Sequence, residues 1–363
     1  MAIMDDLKKV YQNKTVLVTG HTGFKGSWLS LWLIELGAKV VGYALDPVTP
    51  YDNFVLTGLK DKMIDIRGDI RDKQKLLEVF ETHEPEMVFH LAAQPIVREA
   101  YLSPVETFET NVMGTVHVLE CIRNTPSTKV GICITTDKCY ENKEQLWGYK
   151  ENDAMGGYDP YSASKGAAEL AIASYRQSYM NTKAYEKHHK AIASVRAGNV
   201  IGGGDWSKDR IMPDCIRAIE ANKPIIIRNP KAIRPWQHVL EPLNGYLLLG
   251  AKLLENPTSY SEGWNFGPYL QDIVPVWEVA KKLVKAYGKG QLEISSTQEE
   301  LHETTMLNLD ISKSVFKLGW QPKWHINEAI NYTAQWYKNY QKEDVYELCK
   351  AQILAYKTNL SQS

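Results

Sequence analysis

The 363-residue chain predicts an α/β protein built on a doubly wound parallel sheet, on three observations. Apolar, β-branched runs at 15–19, 39–43, 87–91, 130–135 and 191–197 alternate with stretches of helical periodicity, the pattern of a parallel sheet covered on both faces. A glycine-rich segment, Gly20-His21-Thr22-Gly23-Phe24-Lys25-Gly26, stands between the first run and the apolar stretch beginning at Ser27, at a strand-to-helix turn. Beyond about residue 200 the texture changes to glycine, proline and tryptophan with shorter helical patterns, which predicts a smaller C-terminal α/β lobe over a substrate. The expected division is 1–200 for a dinucleotide-binding domain and 201–363 mainly for the substrate lobe, with no linker, low-complexity tract or repeat at the boundary.

The first turn has the form of a Rossmann-type phosphate site, with a first gap one residue longer than the usual fingerprint. Gly20 permits the tight turn, Gly23 lets the backbone approach phosphate oxygens, Gly26 lets helix and strand pack closely, and the helix N-terminus supplies N–H donors. Lys25 and His21 add positive charge there, and Lys25 either draws a pyrophosphate off those donors or points to solvent. At the end of the second strand a carboxylate would accept the ribose hydroxyls and repel a 2′-phosphate. Ala44 stands at that place, and Asp46 follows two positions later, where a turn residue before Pro47 would also stand. No arginine is obviously placed for a 2′-phosphate, so NAD is expected rather than NADP. The fourth strand runs into Leu91-Ala92-Ala93-Gln94, whose small residues let a cofactor pass the carboxyl end of the sheet.

Tyr161 and Lys165 are four apart, so on a helix they emerge one turn apart from one face. The ammonium then stabilises phenolate and lowers the tyrosine pKa from about 10 toward working pH, which suits a base for a hydroxyl proton. Without the glycine turn upstream, the same pair would read as a solvated helix face.

Composition excludes several classes. At 44% hydrophobic residues the chain can bury a large core, and a net charge of −1 with dispersed Lys and Arg leaves no nucleic-acid footprint. The N-terminal residues lack an apolar signal core and no run of about 18 apolar residues occurs, so a cytoplasmic protein with no membrane partner is expected. Five cysteines without a Cys-x-x-Cys pair predict reduced thiols, and nine histidines without a His-Glu-x-x-His spacing predict no metal.

The segments Gly20–Leu29, Thr135-Thr136-Asp137-Lys138-Cys139-Tyr140 and Arg196–Trp206 resemble those of the extended short-chain dehydrogenases/reductases, in the NAD-dependent epimerase/dehydratase branch that modifies nucleotide sugars. The resemblance covers nearly the whole chain and suggests that it crosses between lobes more than once. Lys25 and Lys138 replace the hydrophobic residue and the glutamate usual in related sugar dehydratases, and within the branch they point to members acting on CDP-glucose.

What the resemblance implies is an intramolecular redox dehydration with NAD. Thr136, Asp137, Lys138, Tyr161 and Lys165 are its implied catalytic residues. Tyr161 accepts the 4-hydroxyl proton as hydride leaves C4, Thr136 hydrogen-bonds the same oxygen, and Lys165 holds phenolate and ribose. Asp137 is the acid for the departing C6 hydroxyl and Lys138 the base at C5. An ion pair would favour the charged form of both, so either the two are held apart or Lys138 stabilises the enolate electrostatically instead.

The implied cofactor contacts are Gly20, Gly23, Phe24, Lys25, Gly26, Asp46, Asp69, Ile70, Leu91, Ala92 and Ala93, with Tyr161 and Lys165; Asp69 equally suits a helix N-cap. Arg234 and Asn199 are the implied nucleotide contacts, with Gln94, Arg98, Arg210 and Thr136 beside them. Helical faces at 104–123 and 161–179 imply a homo-oligomer, dimer or tetramer. Two other readings stay open: an epimerase, reductase or dehydratase of another nucleotide hexose, and a sensor that only binds NAD. Asp137 with Lys138 favours elimination over epimerisation, and retention of Tyr161 with Lys165 favours turnover over sensing.

Overall fold

Seven parallel strands form the central sheet of the computed structural model, which describes residues 2–295 and 306–358. Residues 296–305 and 359–363 of the expected second lobe lie outside the described residues. The strands are β1 (Thr15–Thr19), β2 (Lys39–Ala44), β3 (Ile64–Arg67), β4 (Met87–His90), β5 (Val130–Ile134), β6 (Ala191–Ala197) and β7 (Gly263–Phe266). Their order is β7-β6-β5-β4-β1-β2-β3. The chain runs one way from β1 through β3 and the other way from β4, so a crevice opens at the carboxyl ends where the order reverses.

The principal helices are α1 (Phe24–Glu35), α2 (Lys73–His83), α3 (Gly114–Asn124), α4 (Pro160–Ser178), α5 (Ile211–Glu220), α6 (Leu240–Glu255), α7 (Ile326–Asn339) and α8 (Val345–Thr358). They explain why β1 reads as a continuous apolar run. Val16 and Val18 pack into the core that holds Trp28 and Trp32 of α1, whereas Leu17 packs on the opposite face with Phe80 of α2 and Val118 of α3. Asp159 caps α4 by accepting from Ser162 N at 2.9 Å, with Pro160 in the first turn, and so places Tyr161 at the helix start. Asp72, not Asp69, caps α2, accepting from Lys75 N at 3.0 Å. Just before α3 the segment Glu109–Met113 winds as a π-helix and carries the buried Asn111.

Beyond β6 the chain builds three short strand pairs, one of them Ile225–Ile227 with Leu292–Ile294, and returns to the main sheet: β7 pairs with β6 from Gly263 opposite Ser194 to Phe266 opposite Ala197. The C-terminal helices also pack on the first lobe. Tyr346 on α8 donates to Glu35 of α1 at 2.8 Å, and Trp28 Nε1 donates to the Gly203 carbonyl at 2.9 Å.

Candidate active site

A cleft of about 790 Å³ opens at the carboxyl ends of β1, β4, β5 and β6, and every candidate catalytic, cofactor and nucleotide contact named from the sequence lines it; His21 does not. At one end is the glycine turn. Gly20 has φ +75°, and a Cβ there would fall 2.7 Å from Ala92 N; a Cβ on Gly26 would fall 2.1 Å from the Gly20 carbonyl oxygen. Gly23 begins α1 with no side-chain cap, so the first-turn N–H groups have no side-chain acceptor. The cradle fits a dinucleotide pyrophosphate because any side chain at Gly20 or Gly26 would close it.

Two charges expected beside this turn behave differently from each other. His21 is fully buried, with Nε2 2.7 Å from Asp65 Oδ1, and is not part of the cleft lining. Burial lowers its pKa against the opposing pull of Asp65, so it adds no cation to the turn. Lys25 faces the cleft rather than open solvent, among Arg210, Asp137, Lys165 and Asp205, and burial in those walls brings its pKa down to about 8.

At the ribose end Asp46 is exposed, and Arg67, brought by β3, reaches it at 3.5 Å. That guanidinium is also taken by Asp65 at 2.8 Å and by the Leu45 carbonyl at 3.2 Å. Asp69 accepts from Arg71 N at 2.9 Å and from its guanidinium, which holds the carboxyl below its usual range. Ile70 is buried beside it. Under Leu91, Ala92 and Ala93 lies His90, whose ring nitrogens meet the Thr19 hydroxyl at 2.8 Å and the Thr115 hydroxyl at 3.0 Å. Burial pushes its pKa down to about 3, so the floor of the cleft is neutral there.

At the end of β5 Thr136 leaves the strand extended, accepts from Lys138 N at 3.4 Å and donates to Asp137 Oδ1 at 2.9 Å. Asp137 is 3% exposed; burial raises its pKa, while the neighbouring Lys138 opposes the shift. The Tyr161 phenol stands beside Thr136, but its pKa is pushed up to about 12 by burial, and Lys165 does not bring it down as the four-residue spacing predicts. The reason is that the low-dielectric wall outweighs the ammonium, whose Nζ lies 3.5 Å from the Ile134 carbonyl. Burial also lowers Lys165 to about 8, opposed first by Glu169.

On the far wall Arg210 pairs with Asp205 at 2.9 Å, and buried Arg234 donates to the Ile233 carbonyl at 2.9 Å within charge range of Asp137. Asn199 follows β6, its carbonyl accepting from Gln237 N at 3.0 Å, and Arg98 lies 3.5 Å from Asp209 at the mouth. Gln94 lines the cleft, but its amide is held by its own loop, donating to Thr107 at 3.0 Å and accepting from Ile96 N.

Two residues escaped the sequence reading. Asn111 donates to the Gln94 carbonyl at 3.1 Å and to Ser164 of α4 at 2.9 Å, joining the loop after β4 to the helix that carries Tyr161 and Lys165. Glu169 continues the Tyr161–Lys165 stripe by one further turn, a spacing that would have marked it. Among the described residues no group of three or more His, Cys, Asp or Glu is placed to hold a metal, and no helix is long and apolar enough to cross a membrane.

The crevice at the strand reversal and the Tyr161–Lys165 pair define a short-chain dehydrogenase/reductase scaffold. Residues 17–333 match the family described as GDP-mannose 4,6 dehydratase, and the chain belongs to that family. It is 50% identical over 350 residues to the CDP-glucose 4,6-dehydratase of Salmonella typhimurium, covering 96% of this chain and 98% of that protein. It is 25% identical over 341 residues to a dTDP-glucose 4,6-dehydratase of Xanthomonas campestris, covering 89% and 93% of the two. In fold it is similar to a Bacillus anthracis dTDP-glucose 4,6-dehydratase solved with NAD, with TM-score 0.73 and 19% identity over 93% of this chain and 99% of that one. It is likewise similar to an epimerase of Methanothermobacter thermautotrophicus, with TM-score 0.79 and 22% identity over 97% and 98%.

Proposed function

We propose that the protein is a hydro-lyase that converts CDP-D-glucose to CDP-4-keto-6-deoxy-D-glucose with NAD. The observation that carries this reading is the buried Asp137, its pKa raised, next to Lys138 on the wall that holds Thr136 and Tyr161. Epimerisation needs no such acid beside the tyrosine, whereas loss of water across C5 and C6 does. Half identity to a CDP-glucose 4,6-dehydratase along almost the full chain supports the same substrate.

The glycine turn and the α1 N-terminus hold the pyrophosphate, Asp46 and Asp69 the adenosine end, and Lys165 with Tyr161 the nicotinamide ribose. Bound NAD supplies the hydride acceptor for C4, the hydride donor for C6 and, oxidised, a positive charge in the cleft. Tyr161 takes the 4-hydroxyl proton, with Thr136 hydrogen-bonded to the same oxygen. The resulting ketone acidifies C5. Lys138 removes that proton or stabilises the enolate, and Asp137, its pKa raised by burial, protonates the C6 hydroxyl so that it leaves as water. A proton then returns to C5, giving the 4-keto-6-deoxy sugar with no external reductant. Arg234, Asn199 and Arg210 bind the nucleotide diphosphate.

On this reading residues 1–200 mainly bind NAD and 201–363 mainly the sugar nucleotide, in a cytoplasmic enzyme. Exposed Leu102, Val105, Phe108, Leu170 and Tyr179 support a helix-to-helix contact with a second copy. The test is CDP-glucose deuterated at C4, incubated with protein and NAD. Deuterium at C6 of a 4-keto-6-deoxy product establishes the reaction. Deuterium retained at C4 of an inverted sugar, without loss of water, would mark an epimerase, its transfer to free cofactor a dehydrogenase or reductase, and unchanged sugar with bound NAD a sensor.

A further inference from the structure

Behind the catalytic wall lies a buried ionic cluster that the mechanism above does not use. Glu169, 3% exposed, stands on α4 one turn beyond Lys165. Its Oε1 accepts from the Thr135 hydroxyl at 2.5 Å, and its Oε2 accepts from Ser194 at 2.7 Å and from Arg196 Nη2 at 2.8 Å. Arg196 in turn donates to the Tyr140 hydroxyl at 2.6 Å and to the Glu151 carbonyl at 2.9 Å, and Tyr140 donates to Asn265 of β7 at 2.7 Å. Thr135 is the residue before Thr136 and Asp137. One carboxylate thus ties the catalytic helix to the end of β5 and, through Arg196 and Tyr140, to the strand that returns from the second lobe.

We propose that Glu169 is a positioning residue for the reaction: it clamps Thr136 and Asp137 against the helix bearing Tyr161 and Lys165, and its buried negative charge holds Lys165 as an ammonium. The proposal rests on the dehydratase reading for the role of Lys165. A buried carboxylate costs desolvation that Arg196 alone would offset only in part, and hydrogen bonds from Thr135 and Ser194 complete its pairing. The charged and titratable groups facing it are Lys165 and Arg176 on α4, Cys133 on β5, Cys139 in the following turn and Arg196 on β6. Of these, Lys165 stands one turn before Glu169 on the same face of α4, and Glu169 is the first group to oppose the effect of burial on it; Lys25 of α1 and His90 of β4 face the same ammonium.

The test compares holoenzyme, Glu169→Gln, and the charge-balanced Glu169→Gln/Arg196→Gln double variant. Lys165 titration is followed by NMR of ε-13C-lysine, assigned with Lys165→Met, alongside kcat against pH and thermal stability. Removing the carboxylate removes the charge that favours the ammonium, so Lys165 is expected to lose its proton about one pH unit lower or more in both variants, with the high-pH fall of kcat moving by the same amount. The single variant leaves Arg196 buried without its counter-ion and is expected to melt lower than the double. Thr135→Val keeps the charge and cuts the clamp: kcat is expected to fall with the Lys165 titration in place. Folded variants with an unshifted Lys165 titration would overturn the proposal, leaving Glu169 a structural strut. Wild-type protein that leaves CDP-glucose unchanged would instead overturn the dehydratase reading, while the NMR titration still decides the charge on Lys165.

Discussion

Thr136 donates its hydroxyl proton to Asp137 Oδ1 at 2.9 Å, while Asp137 Oδ2 is buried with no hydrogen-bond partner among the described residues. A carboxyl so placed is half satisfied, which disfavours its charged form and keeps a proton available. Asp137→Asn preserves shape and removes that proton. It is expected to slow loss of water by about 10²–10⁴-fold while C4 oxidation falls much less. Rapid-quench separation of the 4-keto glucose from the 4-keto-6-deoxy product, with NADH absorbance in parallel, reads the two steps; equal loss at both would remove Asp137 from its role.

Tyr161→Phe removes the phenol that meets Thr136 and should cost about 10²–10⁴-fold in C4 oxidation, seen as absent NADH in a single turnover. Because burial pushes the phenol up to about 12, its absorbance change on ionisation should appear at lower pH once the positive charge of NAD is bound beside it.

Gly26→Ala and Gly23→Ala separate folding from binding. A Cβ on Gly26 meets the Gly20 carbonyl oxygen at 2.1 Å, whereas one on Gly23 meets it at an acceptable 3.4 Å with an ordinary φ of −74°. Gly26→Ala is expected to lose about 1–3 kcal/mol of stability and most NAD affinity. Gly23→Ala should keep its melting temperature and lose affinity only, as calorimetric titration would show.

Glu241 on α6 makes stability depend on pH. It accepts from Trp324 N at 2.7 Å and from Tyr356 of α8 at 2.8 Å, and burial lifts its pKa to about 7 from an ordinary 4.5. A carboxyl whose folded pKa is raised contributes fully below its unfolded pKa and loses that contribution as pH rises through the folded one. Melting temperature should therefore fall between about pH 4.5 and 7 on this account, and Glu241→Gln should flatten that slope. Lys323, lowered to about 8, stays charged in both states over that window and does not mask the effect.

Leu170, 62% exposed on the outer face of α4, is the probe for self-association. Leu170→Arg should bring the mass measured by light scattering down to that of one chain, and an unchanged mass would place any contact elsewhere.

Much of the fold was legible because its signals are local. Val16, Leu17 and Val18 read as a buried strand since consecutive side chains meet opposite covered faces. Gly20 and Gly26 marked their turn because each stands where no side chain fits. The residues proposed to act from the sequence all line one cleft, since open α/β sheets gather their strand ends at the reversal of order.

By itself, then, the sequence determined five of the seven sheet strands, the glycine turn and the Tyr161–Lys165 stripe, each written in residues a few positions apart, whereas β3 and β7, four residues each with polar side chains among them, were not marked by an apolar run. Only the tertiary structure decided the charges. His21 turns to Asp65, 44 residues away, and leaves the turn; Tyr161 is raised rather than lowered; Glu169 finds Arg196 27 residues on and stands behind Lys165. Proton affinity depends on how far a group is withdrawn from water and on which partners approach it through space, and both are properties of packed strands and helices rather than of neighbours in the chain.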